Sequence, residues 1–264
     1  MQPIDIAVVI PCYNHSNVLR RTLEALQRQT LQPKEVVVVD DLSSDDPKSV
    51  VEGIQRGPNF RWDDGKLRLV RLAEHGGAPR ARNEGARQTV SPFIIFLDAD
   101  AELQPDALEV MAKTLEENPD ASFAYSNFFW GMKRFPAKVW DVAMLKKQNY
   151  IHTSSLMRRA DFPGFDETLT KFQDWDLWLT MAERGKKGVW VNRELYRIEP
   201  RKQGLSRWLP RIAYVIPWQK LGFQPKEVGR YREAEAIVRA KHEKTGLSTS
   251  SDSARDDKGD DRNV

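Results

Sequence analysis

Phe93-Ile94-Ile95-Phe96-Leu97-Asp98-Ala99-Asp100 is an unbroken apolar run that ends on two carboxylates. A short continuous run of this kind reads as a strand buried on both faces, which points to a parallel sheet. The pattern recurs upstream. Glu35–Val39 ends on Asp40 and Asp41, and Ile4–Ile10 stops at Pro11. Helix-like periods fill the intervals. Val18, Leu19, Leu23 and Leu26 share a helical face behind the candidate N-caps Ser16 and Asn17. Further helices are expected near Pro47–Gln55 and Pro79–Thr89, with a strand over Lys66–Leu72. Pro105 is placed to open a helix running to about Glu117, followed by a strand at Ala121–Ser126. Alternation of this kind implies an α/β fold, a largely parallel sheet flanked by helices. Such sheets bind ligands beyond the carboxyl ends of their strands, where the acidic residues fall here. One acidic crevice is therefore expected.

Composition sets the outer bounds. The 264 residues carry 41 Lys/Arg against 38 Asp/Glu, a formal charge of +3, which argues against a dedicated nucleic-acid binder. With 40% hydrophobic and 30% charged residues the chain can bury a core. The single cysteine, Cys12, excludes an internal disulfide framework and a cysteine zinc cluster. The N-terminus lacks a signal-peptide pattern, and no apolar run reaches the roughly 20 residues that span a bilayer. These features predict a cytoplasmic, globular protein. After an aromatic-rich second half, a basic aromatic segment follows Ser206 and precedes a charged helix near Lys226–Lys244. Ser248–Val264 has no apolar cluster and reads as a disordered tail of net charge −2, leaving +5 on the rest.

Several groups could carry chemistry. Asp98 and Asp100, projecting from a strand end, suit a hard divalent cation such as Mg²⁺ or Mn²⁺, although Asp-x-Asp recurs at Asp174–Asp176. Taken alone, the first pair reads more simply as a solvated loop or helix cap, and the second as a helix N-terminus in which Asp174 caps. Asp40 and Asp41 could bind a base or ribose, while Ser43, Ser44 and Asp45 could simply turn the chain and cap the next helix. Tyr13, after Pro11 and Cys12, could cover the face of a base. Gly76-Gly77-Ala78-Pro79-Arg80-Ala81-Arg82 enters a helix and could meet a phosphate, but it is not the Gly-x-Gly-x-x-Gly fingerprint. Asp174, set among Phe172, Trp175 and Trp178, could be a desolvated base or a helix cap. His15, His75, His152 and His242 are too dispersed to form a metal cluster by spacing. No Gly-x-Ser-x-Gly elbow and no phosphate loop is present.

The order of the pieces is more specific than any one of them. Val8–Asn14, Gln29-Thr30 with Glu35–Asp41, Ala81-Arg82-Asn83-Glu84-Gly85, Phe96–Asp100, and Gly164-Phe165-Asp166-Glu167 with Gln173–Trp178 follow one another along the chain. This sequence of blocks resembles the inverting family 2 glycosyltransferases of GT-A fold, from about Ile6 to Ser206. The resemblance implies a hexosyltransferase-type enzyme of polysaccharide biosynthesis that uses a nucleoside-diphosphate sugar, UDP-sugars being favoured. Pro11, Tyr13 and Asp41 would form the nucleotide pocket, with Arg82 helping at the nucleotide or diphosphate. Asp100 would be the main ligand of Mn²⁺ or Mg²⁺, Asp98 would face the ribose or the metal, and Asp174 would be the general base. The acceptor would be a glycan, a lipid-linked or another hydroxyl compound. It also divides the chain into a transferase domain, 1–206, with nucleotide-sugar and acceptor halves meeting near residue 100. A C-terminal extension, 207–247, and the tail, 248–264, follow.

Three positions depart from the family pattern. Leu42 stands where a glycine or small polar residue is usual. Gln173 replaces the Glu that commonly precedes the base, removing a negative charge beside Asp174. Near Glu199 many members carry a metal-binding His, so here Glu199 or a water would substitute. The basic aromatic stretch 201–220 could rest on a membrane surface at the inner face, or pack across the acceptor side. Two other readings compete: a nucleotide-sugar-binding protein with a decayed site, and a nucleotidyltransferase, for which Pro11–Arg20 lacks a basic Gly-rich triphosphate loop.

Overall fold

The computed structural model describes residues 4–58, 60, 62, 65–199 and 225–243. The basic aromatic stretch 201–220 and the tail 248–264 lie outside the described residues. The elements are β1 (Ile6–Cys12), α1 (Ser16–Gln27), β2 (Glu35–Asp40), α2 (Pro47–Gln55), β3 (Leu67–Arg71), α3 (Gly77–Arg87) and β4 (Phe93–Phe96). There follow β5 (Ala101–Leu103), α4 (Ala107–Glu117), β6 (Phe123–Trp130), β7 (Lys133–Phe135), α5 (Val142–Lys147) and β8 (Leu156–Arg158). The chain then forms α6 (Gln173–Glu183), β9 (Gly188–Ile198) and α7 (Lys226–Glu243). No helix among the described residues is long and apolar enough to cross a membrane.

The sheet has the order β3-β2-β1-β4-β8-β6-β9-β5, with β7 hanging from β6. β3, β2, β1 and β4 are mutually parallel, whereas β8 runs antiparallel between β4 and β6. From β1 the chain steps outward through β2 and β3, then returns to lay β4 on β1's other side. That reversal opens a crevice beyond the carboxyl ends of β1 and β4. Alternate residues of β1 serve two cores: Ile6, Val8 and Ile10 face α1, α2 and α4, while Ala7 and Val9 face α3 and α6. α3 lies very close to the sheet, because a Cβ on Gly85 would stand 2.2 Å from Val9 Cγ1.

Some boundaries differ from the sequence expectation for identifiable reasons. β1 runs through Pro11 to Cys12. Val9 C=O accepts from Leu97 N on the β4 side and Cys12 C=O accepts from Asp41 N on the β2 side. Pro11 shares Val9's parity, and β4 pairs no further than Val9, so its missing N–H breaks no ladder bond. Neither Ser16 nor Asn17 caps α1. His15 occupies the N-cap without a side-chain bond, and Asp45 Oδ2 accepts from Ser16 N and Oγ at 2.8 and 2.7 Å. α4 starts at Ala107, beyond Pro105, and its N-cap Asp106 is turned to Arg193.

Candidate functional site

The crevice is walled by the turns after β1, β2 and β4. After β1, Tyr13 is 45% exposed and its ring lies 4.3 Å from that of His75. Asn14 follows in the left-handed region, φ 54°, and its Oδ1 accepts from Ser44 N and Oγ. After β2, Asp40 is buried and structural, accepting from Ser43 N and forming a 2.7 Å ion pair with Arg71. Asp41 accepts from Gly76 N and Gly77 N, both at 2.8 Å, and lies 3.0 Å from His75 Nδ1. The Gly-Gly amides thus bind Asp41, which caps α3, rather than pointing freely at a phosphate. Gly77, φ 81°, makes that turn possible. Leu42, φ 62°, holds the left-handed turn that a glycine would adopt without strain.

The chemistry-bearing cluster lies beyond β4. Arg82, on α3, donates from Nη2 to Asp98 Oδ1 and from Nη1 to Gln173 Oε1, each at 2.8 Å. Its guanidinium therefore joins the strand-end carboxylate to the start of α6. Burial alone would raise the pKa of Asp98, but the Arg82 charge, helped by His152 and His15, holds it below the usual carboxylate value. Asp174 occupies the first turn of α6, entered through the strained Phe172, φ 59°. Burial raises the pKa of Asp174 despite His152, a bond from Trp175 N to Oδ1 at 2.9 Å, and a side-chain bond with Asn149. A carboxylate whose pKa is raised binds a proton more tightly and is better suited to act as a base.

Two site residues were not picked out by sequence reasoning. Asn149 and His152, on the loop between α5 and β8, reach Asp174 and Asp98 respectively. Neither stands at a helical or strand period, so only the closeness of the loop to α6 reveals them. The second Asp-x-Asp separates into two roles. Asp176 turns away from the crevice to His242 Nε2 and Lys241 Nζ of α7, both at 2.8 Å.

Asp100 lies where β5 begins, and Ala101 pairs with Ile198 of β9. Glu199 N donates to Asp100 C=O at 3.4 Å, which brings Glu199 beside the Asp-x-Asp turn. Among the described residues no three His, Cys, Asp or Glu side chains form a ready metal cluster. Carboxylate oxygens from one or two aspartates nonetheless suit a magnesium-type ion, whose remaining positions are filled by water and substrate phosphates. Asp98 and Asp100 fit that donor chemistry.

Fold and crevice together define an α/β protein with its acids at the switch point of the sheet. Residues 7–168 match the family described as Glycosyl transferase family 2, and the chain belongs to that family. It is 31% identical over 113 residues to the GalNAc(5)-diNAcBac-PP-undecaprenol beta-1,3-glucosyltransferase of Campylobacter jejuni subsp. jejuni serotype O:2. That match covers 42% of this chain and 35% of the relative, so the chain spans about a third of its length. S. aureus TarS 1-349 in complex with UDP-GlcNAc superposes with a TM-score of 0.65 at 18% identity, covering 91% of this chain and 72% of that one. The mannosyltransferase PcManGT from Pyrobaculum calidifontis, in complex with GDP-Man and Mn2+, gives 0.60 at 21% identity over the same shares. The fold is of GT-A type, with a mixed sheet whose first half is parallel.

Proposed function

We propose that the protein transfers a hexosyl group from a nucleoside-diphosphate sugar to an acceptor hydroxyl, with inversion and with Asp174 as general base. The observation that carries this reading is the placement of Asp174. It is a half-buried carboxylate with a raised pKa, next in sequence to Gln173, which Arg82 links to Asp98 at the carboxyl edge of the sheet. Pro11, Tyr13 and Asp41 form the nucleotide side, with the Tyr13–His75 ring pair offered to the base. Asp98, fixed by Arg82, would receive the ribose or share a divalent cation with Asp100, and Glu199 or water would complete that site. Mg²⁺ or Mn²⁺ held there would offset the negative charge that develops on the leaving diphosphate. Asp174 takes the acceptor's hydroxyl proton as the acceptor oxygen bonds to the anomeric carbon. The bond to the diphosphate breaks on the opposite face, and its electron pair leaves with the nucleoside diphosphate.

A UDP-sugar donor is favoured, supported by the UDP-GlcNAc complex of TarS, with GDP-sugars as the alternative suggested by PcManGT. A lipid-linked glycan acceptor is supported by the undecaprenol-linked compound in the name of the Campylobacter relative. The test is to incubate the protein with UDP- and GDP-sugars, Mn²⁺ and a polyprenyl-diphosphate glycan, and to analyse both products. Nucleoside diphosphate and a product of inverted anomeric configuration are expected. Release of pyrophosphate would favour a nucleotidyltransferase, and donor binding without turnover would favour a binding protein.

A further inference from the structure

His152 lies outside every block on which the family resemblance rests. Its ring packs beside Phe128 and Tyr196, with centroids 5.0 and 5.5 Å away, and its side chain is 17% exposed. Ser154 N donates to Nδ1 at 3.2 Å. A ring nitrogen that accepts carries no proton, so the neutral imidazole bears its hydrogen on Nε2. Nε2 faces Asp98 Oδ2 at 3.6 Å, while Arg82 holds Oδ1 at 2.8 Å. That separation is just beyond a direct hydrogen bond, and such contacts commonly tighten when substrate binds. The loop is fixed to the helix that carries Asp174. Trp178 Nε1 of that helix donates to Ile151 C=O at 3.0 Å; Trp175 Nε1 holds the preceding α5 through Leu145 C=O at 2.7 Å, and within the loop Ser155 Oγ donates to His152 C=O at 2.8 Å.

We propose that His152 is a positioning residue whose Nε2–H completes the grip on Asp98 that Arg82 begins. It thereby fixes the donor-side carboxylate relative to Asp174. Arg82 ties Asp98 to α6 through Gln173, and His152 ties it to α6 through the tryptophan-anchored loop, so Asp98 is oriented from both sides. The assignment rests on the donor-site role of Asp98 proposed above.

The first test needs no turnover. Imidazole ¹H–¹⁵N spectra of the full chain should show His152 protonated at Nε2 and not at Nδ1, with the Nε2 resonance displaced in Asp98→Asn. Protonation at Nδ1, or no response to Asp98→Asn, would overturn the proposal even if the transfer reading stood. The second test compares two variants. His152→Phe keeps the ring packing and removes the N–H, and donor kcat/KM should fall roughly 10- to 100-fold, as for other groups that orient a ligating side chain. His152→Gln places an amide N–H near Nε2 and should recover donor kcat/KM to within about fivefold of wild type. Wild-type rates in His152→Phe, or equal losses in both variants at unchanged melting temperature, would contradict the positioning role. A wild-type protein inactive with every donor would refute the transfer reading instead, leaving the spectra to judge His152.

Discussion

Arg82 and Gln173 stand 91 positions apart and share a 2.8 Å hydrogen bond, while the other arm of the same guanidinium holds Asp98. One side chain thus connects the parallel half of the sheet to the helix that carries Asp174. The Arg82 side chain is 7% exposed and that of Asp98 is 28% exposed, so removing the cation strands a carboxylate with little water around it. Arg82→Ala should cost about 3 kcal/mol, the lower end for breaking a buried ion pair, measured by urea unfolding. Arg82→Lys, which keeps the charge but cannot span both partners, should cost less. A loss below about 1 kcal/mol for Arg82→Ala would class the pair with ordinary surface ion pairs.

Asp174 should be a liability to folding. Burial raises its pKa in the folded state, so the folded protein binds the proton more tightly than the unfolded chain. Stability therefore falls as pH rises from the unfolded pKa through the folded one, by about 1.4 kcal/mol per unit of difference. Asp174→Asn removes that cost and keeps an acceptor for Trp175 N. At pH 7 it should melt at or above the wild-type temperature. A clearly lower melting temperature would mean that the charge stabilises the fold.

The same displacement sets the acid limb of activity. A base must be unprotonated, so kcat/KM should fall as pH drops through a value above the ordinary aspartate pKa of 3.8. Gln173→Glu would restore a negative charge near Asp174 and should move the limb to higher pH. An unmoved limb would separate the titrating group from Asp174.

α7 should dock in a pH-dependent way. Only Val228, Val238 and His242 are buried on it, so polar contacts carry much of its attachment. His242 Nδ1 lies 2.7 Å from Glu183 and Nε2 lies 2.8 Å from Asp176, an arrangement that satisfies an imidazolium, while Lys241 pairs with Asp166 and Asp176. Burial lowers the His242 pKa, but the two carboxylate bonds outweigh it and leave the value above the ordinary 6.5. The contribution is complete below about 6.5 and is lost as pH rises through the folded value. Hydrogen exchange across Lys226–Glu243, corrected for intrinsic rate, should quicken above that range and be fast at all pH in Asp176→Asn. Equal protection at pH 6 and pH 9 would contradict the clamp.

The parallel strands were legible because burial on both faces writes them as uninterrupted apolar runs, and their acidic ends marked the crevice. The destinations of the polar side chains were not. Asp45 caps α1 from 29 positions away, and Arg82 turns to Asp98 and Gln173 instead of outward, choices made only by the folded chain. Asp174 and Asp176 are separable from sequence alone, since residues two apart on a helix point to nearly opposite sides. Strain also marks the site without a sequence signature. Asn14, Leu42 and Phe172, the non-glycine residues with positive φ among those described, each stand within two positions of Tyr13, Asp41 or Asp174.

The central claim is that Asp174 moves the acceptor's proton. It is tested most directly by comparing Asp174→Asn with wild type in single-turnover transfer, with nucleoside-diphosphate affinity measured by calorimetry on the same samples. Transfer should fall about 10²- to 10⁴-fold, the range of a lost general base, while affinity changes by less than about threefold. Transfer within about tenfold of wild type would remove Asp174 from the chemistry.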